Sequence, residues 1–217
     1  MEALLAFGAS LLALRLAGDL AGRFRVRRRP ELAAWSASLL AYAVASAALA
    51  WGAAAGWDDR SFRVYYLAGG LLTAPLLGTG SLLLRGHRWA TPVALVYVGL
   101  AIGIAVAVPL TASVTGTSIP EAQQHLDFFP ARLLAVLGNS LGTLAVVGVA
   151  VLTWRRRPFG NLLILAGVGV AAVGSAVAGL GVAGTAVFIA VGVGLLYAGF
   201  VAPALPWRRM IARSQSS

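Results

Sequence analysis

The sequence predicts an all-α polytopic membrane protein: a bundle of seven transmembrane helices, with the N-terminus outside and the C-terminus in the cytoplasm. Three observations predict it. Apolar runs of membrane length recur along the chain, and roughly 20 such residues cross a hydrocarbon core of about 30 Å. The arginines gather between those runs rather than within them. The composition is also far from that of a soluble domain, in which about 25% of residues are charged. Here 59% of residues are hydrophobic, 11% are charged and the mean hydropathy is +0.86. Residues 1–217 read as one membrane domain, with too little polar sequence left over for a second.

The first span is expected over residues 3–22, followed by the block Arg23, Arg25, Arg27, Arg28 and Arg29. It ends in arginines without a small-residue cleavage site, so it is expected to remain as a helix rather than to be removed as a signal peptide. The second span, residues 31–56, starts after Pro30, and Trp35 and Trp57 are expected to mark its two interfaces as an aromatic belt does. A short polar turn, Asp58-Asp59-Arg60, leads into the third span, residues 62–84.

The third span carries Arg63 at its entrance, Tyr65 and Tyr66 just inside, and Thr73-Ala74-Pro75 near its middle. Proline there frees a backbone carbonyl that a neighbouring helix or a nearby hydroxyl has to satisfy. That requirement places the segment in the interior of the bundle. The fourth span is expected at residues 90–111, with Pro92 in its first turn and Pro109 near its end.

A long connection follows, residues 113–129. Ser118-Ile119-Pro120-Glu121 has the spacing of a capping box. Ile119, Ala122, Leu126 and Phe129 would then share one face of a short amphipathic helix on the membrane surface. The fifth span, residues 130–153, stops at Arg155, Arg156, Arg157 and Pro158. The sixth, residues 161–182, turns through Gly181 to Gly184 into the seventh, residues 185–203, which ends among prolines before Arg208, Arg209 and Arg213.

Sidedness follows from the arginines. Alternate connections carry the 23–29 block, Arg85 and Arg88, the 155–157 triplet and the C-terminal group on one side. The other side holds Arg60, Arg63 and Arg132, balanced by Glu2, Asp58, Asp59, Glu121 and Asp127. By the positive-inside rule the first side is cytoplasmic. The same clustering argues for helix ends rather than nucleic-acid binding, despite a net charge of +10. The Ala, Gly, Val and Arg bias points to a GC-rich bacterial genome, and hence to a multi-pass protein of the bacterial inner membrane. Gly18/Gly22, Gly52/Gly56, Gly99/Gly103 and Gly138/Gly142 are spaced to let helices approach closely. Nothing in the sequence sets an oligomeric state.

The chemistry is defined first by what is missing. There is no cysteine, which excludes disulfides, iron–sulfur clusters and thiolate catalysis. No charge occurs between Arg157 and Arg208, and the second, fourth and fifth spans are uncharged through their middles. Proton-coupled machines need titrating groups at that depth. His87 and His125 fall in loops on opposite sides, so no catalytic or zinc-holding cluster is expected within the bundle, and no cofactor.

The candidate residues are few. Thr73, Pro75, Tyr66, Asn139 and Ser140 are the polar or helix-breaking positions best placed to meet a ligand inside the bundle; interhelical hydrogen bonding is the alternative role. Arg15 and Asp19, one turn apart, form either a buried pair gating a cavity or an ion pair snorkelling to the interface, the commoner case. Asp58, Asp59 and Arg63 form an outer rim that either closes an entrance or is simply solvated. Glu121, His125 and Asp127 fall on the outer loop, where Glu121 and His125 would share a helix face; a pH-sensing site is one reading, and two or three ligands on a loop are too few to expect a metal.

Thr73-Ala74-Pro75-Leu76-Leu77 resembles the third helix of the microbial rhodopsins, and Ala190-Val191-Gly192-Val193-Gly194-Leu195 resembles their retinal-bearing helix in its glycine spacing. The retinal lysine of that family would fall near Ala190 and its carboxylate counter-ions near Gly69, and the chain has no lysine at all. The resemblance therefore implies an opsin-like fold unable to hold retinal covalently. The runs 62–84 and 160–181 are also similar to uncharacterised bacterial seven-helix proteins. The expectation is a non-enzymatic bundle surrounded by membrane lipids, binding a small hydrophobic ligand or a lipid as a sensor, receptor or accessory protein. A facilitative transporter or channel without proton coupling is the alternative.

Overall fold

The computed structural model describes residues 2–155, 157–179 and 185–201. The expected turn at 181–184, the proline stop at 203–206, and Arg156, Arg208, Arg209 and Arg213 lie outside the described residues. Among the described residues there is no strand. The long helices are α1 (Glu2–Arg27), α2 (Pro30–Ala55), α3 (Asp59–Leu84), α4 (Ala90–Ala107), α5 (Phe128–Leu152), α6 (Pro158–Gly179) and α7 (Thr185–Val201). Five of them, α1 to α5, are long and apolar enough to cross a bilayer; the apolar stretches of the last two are Pro158–Ala171 and Ala190–Gly199. The protein is an α-helical membrane protein.

Helix ends follow local chemistry. α1 runs past the apolar limit at residue 22 as far as Arg27, because arginines suit the negative end of a helix dipole. Pro30 opens α2 at a position that needs no N–H. Gly56, at φ 92°, takes the chain out of α2 in a conformation that L side chains rarely adopt. Asp58 then caps α3 reciprocally with Ser61: the Ser61 amide donates to Asp58 Oδ1 at 2.7 Å, and the Asp58 amide donates to Ser61 Oγ at 3.0 Å. α4 stops four residues short of the expected 111 because Val108, just before Pro109, is extended. In α5, Phe129 is extended (φ −106°, ψ 135°), so the continuous helix starts at Pro130, the expected boundary.

The helices close on one another. α2 lies between α1 and α3, α5 packs on the far side of α3, and α6 packs on α5 and pairs with α7, which returns to α1. α4 stands outside this ring beside α3. Only 11% of its most apolar window is buried, against 39% for α3 and 50% for α2. While α3, expected in the interior, is buried to the same extent as α1, the most enclosed among α1 to α5 is α2. Its alanines and serines let α1 and α3 close on it from both sides: Ser38 and Ser46 are buried, and so are Ala41, Ala43, Ala45, Ala48 and Ala50.

Two further expectations are corrected. Trp35 and Trp57 do not mark the interfaces. They are 3% and 4% exposed, Trp35 lying over Gly80 and Trp57 over Gly52, so both are core side chains that occupy space left by glycine. Of the four glycine pairs, Gly138 and Gly142 lie in interhelical contacts, whereas Gly18, Gly22, Gly99 and Gly103 have no neighbour within 4 Å of where a Cβ would stand. A second glycine seam was not foreseen. Gly160 and Gly167 on α6 meet Gly199 and Gly192 on α7, seven residues apart on each helix. The antiparallel hairpin thus closes backbone on backbone, with Ile164 and Leu196 filling the gaps between glycines.

Candidate functional site

The middle of α3 is where backbone chemistry is least regular. From Tyr66 to Leu72 the helix opens into wide π turns, and α geometry resumes at Thr73. Pro75 supplies no N–H to the turn below it. Three side chains bind the carbonyls of this stretch: Thr73 Oγ1 donates to Ala68 O at 2.8 Å, Ser38 Oγ to Thr73 O at 2.7 Å, and Asn139 Nδ2 to Gly70 O at 2.9 Å. Tyr66 Oη donates to Ala131 O at 3.3 Å. Ser140 is exposed on another face of α5. Of the five candidate ligand residues, Thr73, Tyr66 and Asn139 thus spend their polar groups on backbone, and Ser38 was missed.

Gly78 and Gly142 bring α3 and α5 into backbone contact one to two turns further along. A Cβ on Gly78 would stand 2.6 Å from the Gly142 Cα, and one on Gly142 would meet the Ala74 carbonyl. This stretch is a sealed seam. An Asn139→Leu variant is expected to lose about 1–2 kcal/mol of stability, because the Gly70 carbonyl is left without that donor in an apolar setting. Unfolding in detergent titrated with dodecyl sulfate measures it.

The residues expected to form an outer rim make a clasp. Arg63 Nη1 donates to Ala105 O and Val108 O, both at 2.8 Å, capping the end of α4. The Val114 amide donates to Asp59 Oδ1 at 2.9 Å, and the Trp57 amide to Gly116 O at 2.7 Å. The Ser61 hydroxyl and then its amide hold the exposed Asp58 carboxyl below its ordinary range. These bonds fasten residues 108–127 over the bundle end, where Val114 and Leu126 pack with Trp57 and Phe62.

The connection does not form the expected surface helix. Helix is limited to the single turn Ala122–His125, Glu121 makes no side-chain cap, and Phe129 is exposed. His125 instead sets its ring edge-on to Phe62 at 5.5 Å. A polar cleft of about 290 Å³ beside it is lined by Ser113, Thr115, Ser118, Glu121, Gln124 and His125, among others. No group of three or more metal-ligating side chains occurs among the described residues.

Arg15 and Asp19 are both exposed and make no ion pair with each other; Tyr197 Oη donates to Asp19 Oδ2 at 3.2 Å, tying α7 to α1. Arg29 Nη2 meets Glu31 Oε1 at 2.6 Å, at the start of α2.

The opposite end of the bundle holds an amphiphilic cleft of about 240 Å³ between α3, α5 and α6. Leu84, Val146, Val149, Ala150 and Ile164 form its apolar wall; Ser81, Arg85, Thr153, Arg157 and Asn161 form its polar one. Asn161 is 3% exposed and donates to Thr153 Oγ1 at 3.0 Å, while Thr153 Oγ1 donates to Val149 O at 2.7 Å. Arg157 Nη2 donates to Gly199 O at 3.2 Å. Burial first, and the charge of Arg29 second, hold the Arg157 guanidinium below its ordinary value.

Neither Asn161 nor Thr153 was singled out from the sequence. The available signal was an amide and a hydroxyl bracketing an arginine triplet at the end of an apolar run. No family model, curated protein or solved structure matches this chain.

Proposed function

We propose that the protein is a non-enzymatic seven-helix membrane protein, N-terminus outside and C-terminus in the cytoplasm, that binds a lipid in an accessory or sensing role. The amphiphilic cleft between α3, α5 and α6 carries this reading. Pockets for drug-sized ligands run to roughly 300–1,000 Å³. At about 240 Å³ the cleft suits a head group and the first methylenes of a chain that continues along the bundle surface. Of the mid-bundle positions expected to meet a ligand, Thr73, Tyr66 and Asn139 are committed to backbone carbonyls, which favours a lipid at the end of the bundle over an enclosed apolar molecule.

The test is lipid retention. Protein extracted in mild detergent is expected to carry phospholipid into native mass spectra, and Val149→Phe, which fills the apolar wall, is expected to shed most of it. Equal retention by both proteins would remove the cleft from consideration. The π turns of α3 favour a second reading, facilitated transport, since wide turns recur at moving and functional segments. Solute flux in proteoliposomes above that of empty vesicles would favour it.

A further inference from the structure

We infer that the cleft selects lipids by charge, with Arg85 and Arg157 receiving the phosphate of an anionic phospholipid. The inference rests on the lipid reading above and names its ligand class. Two guanidinium groups line the cleft, and no carboxylate does so among the described residues. None can be supplied by the later helices either, because no Asp or Glu side chain occurs after Asp127 in the sequence. The neighbouring carboxylate, Glu31, is engaged by Arg29.

The geometry suits a phosphodiester whose tails leave sideways. Arg157 is anchored by the Gly199 carbonyl, and Asn161 and Thr153 brace each other beside it. A guanidinium presents its N–H donors in a planar fork matched to phosphate oxygens. The wall of Leu84, Val146, Val149 and Ile164 takes the first methylenes, which a free anion does not need. Basic pockets between helices on the cytoplasmic side bind anionic head groups by this combination of charge and apolar flank. Helix dipoles do not favour the anion. The cleft meets the C-terminal ends of α3 and α5 and only one N-terminal end, that of α6, so the anion depends on the arginines.

The test compares three probes on the full chain in detergent: phosphatidylglycerol, phosphatidylcholine and inorganic phosphate. Native mass spectrometry reads bound lipid, and the shift in melting reads all three. An interfacial arginine contributes about fivefold to anionic-lipid affinity, so phosphatidylglycerol is expected to be retained roughly thirtyfold over phosphatidylcholine. R85Q is expected to reduce the preference about fivefold. R85Q/R157Q is expected to erase it, and R60Q, at the other end of the bundle, to leave it intact. Because R157Q also removes the anchor at Gly199, the exposed Arg85 provides the arm that survives a folding defect.

Equal retention of the two lipids, or a preference that R85Q leaves unmoved, overturns the inference while lipid binding stands. Retention of neither lipid removes both. Stabilisation by inorganic phosphate matching that by phosphatidylglycerol assigns the arginines to a free anion and overturns the lipid as its source.

Discussion

Gly142→Leu is expected to cost about 3 kcal/mol or more and to leave much of the protein unfolded in detergent, at the upper end of what overpacking does. The new Cβ would land on the Ala74 carbonyl, and the next nearest atoms are the Ala74 carbonyl carbon and the Pro75 nitrogen. All of these are backbone, and none can swing aside as a side chain would. Relief would require α3 and α5 to separate, which also draws Asn139 away from the Gly70 carbonyl. The two losses are not independent, so a Gly142→Leu/Asn139→Leu double variant should lose less than the sum of the single variants. Gly148→Leu, on the same helix with open space around it, is the control and should stay near wild type. Dodecyl sulfate titration of helicity measures all four proteins.

Arg63→Met is expected to be the second most damaging change, at about 3 kcal/mol, because charge-assisted bonds to two carbonyls disappear together. Ala105 and Val108 lie where α4 ends, and their carbonyls have no helical turn ahead of them. The consequence should be local before it is global. Amide hydrogen exchange across residues 108–127 should accelerate well before exchange in α2 changes. Both bonds come from one nitrogen, so Arg63→Lys should recover part of the loss, limited by the reach of its stem. An unchanged exchange rate in the connection would show that the clasp is held by Asp59 and the Gly116 carbonyl instead.

Much of this architecture could be read from apolar run length. Residues 31–56 correspond to Pro30–Ala55, residues 62–84 lie within Asp59–Leu84, and Pro130 opens α5 where a proline should. Run length reports where a helix can lie in lipid, and proline reports where an N–H is missing. Neither reports which helices touch. For that reason the burial of Trp35 and Trp57 was misjudged: a tryptophan at the end of a run can sit at an interface, or fold back onto a glycine one turn away as Trp57 does over Gly52. The connection 113–129 was misread for a related reason. Its apolar residues fit a helical stripe, but Val114 and Leu126 are used against Phe62 and Trp57, and tertiary burial overrode the local pattern.

The site was partly legible. A proline inside a span implies carbonyls in need of donors, and Thr73 and Asn139 were recognisable as donors. That they would be fully spent on that task depends on how closely α3 and α5 approach, and Gly78 and Gly142 set that distance. The amphiphilic cleft depends on three helix ends meeting, a long-range fact that no local spacing encodes.

Because α7 is the piece that joins α6 back to α1, helices α1 to α6 without it form an open crescent. The flank of α1 that later meets Val193, Leu196 and Tyr197 is then wetted by acyl chains. Docking of α7 evicts them and closes the ring, so closure rests on a contact between helices far apart in sequence. A chain stopped before Thr185 would lack that latch between α6 and α1.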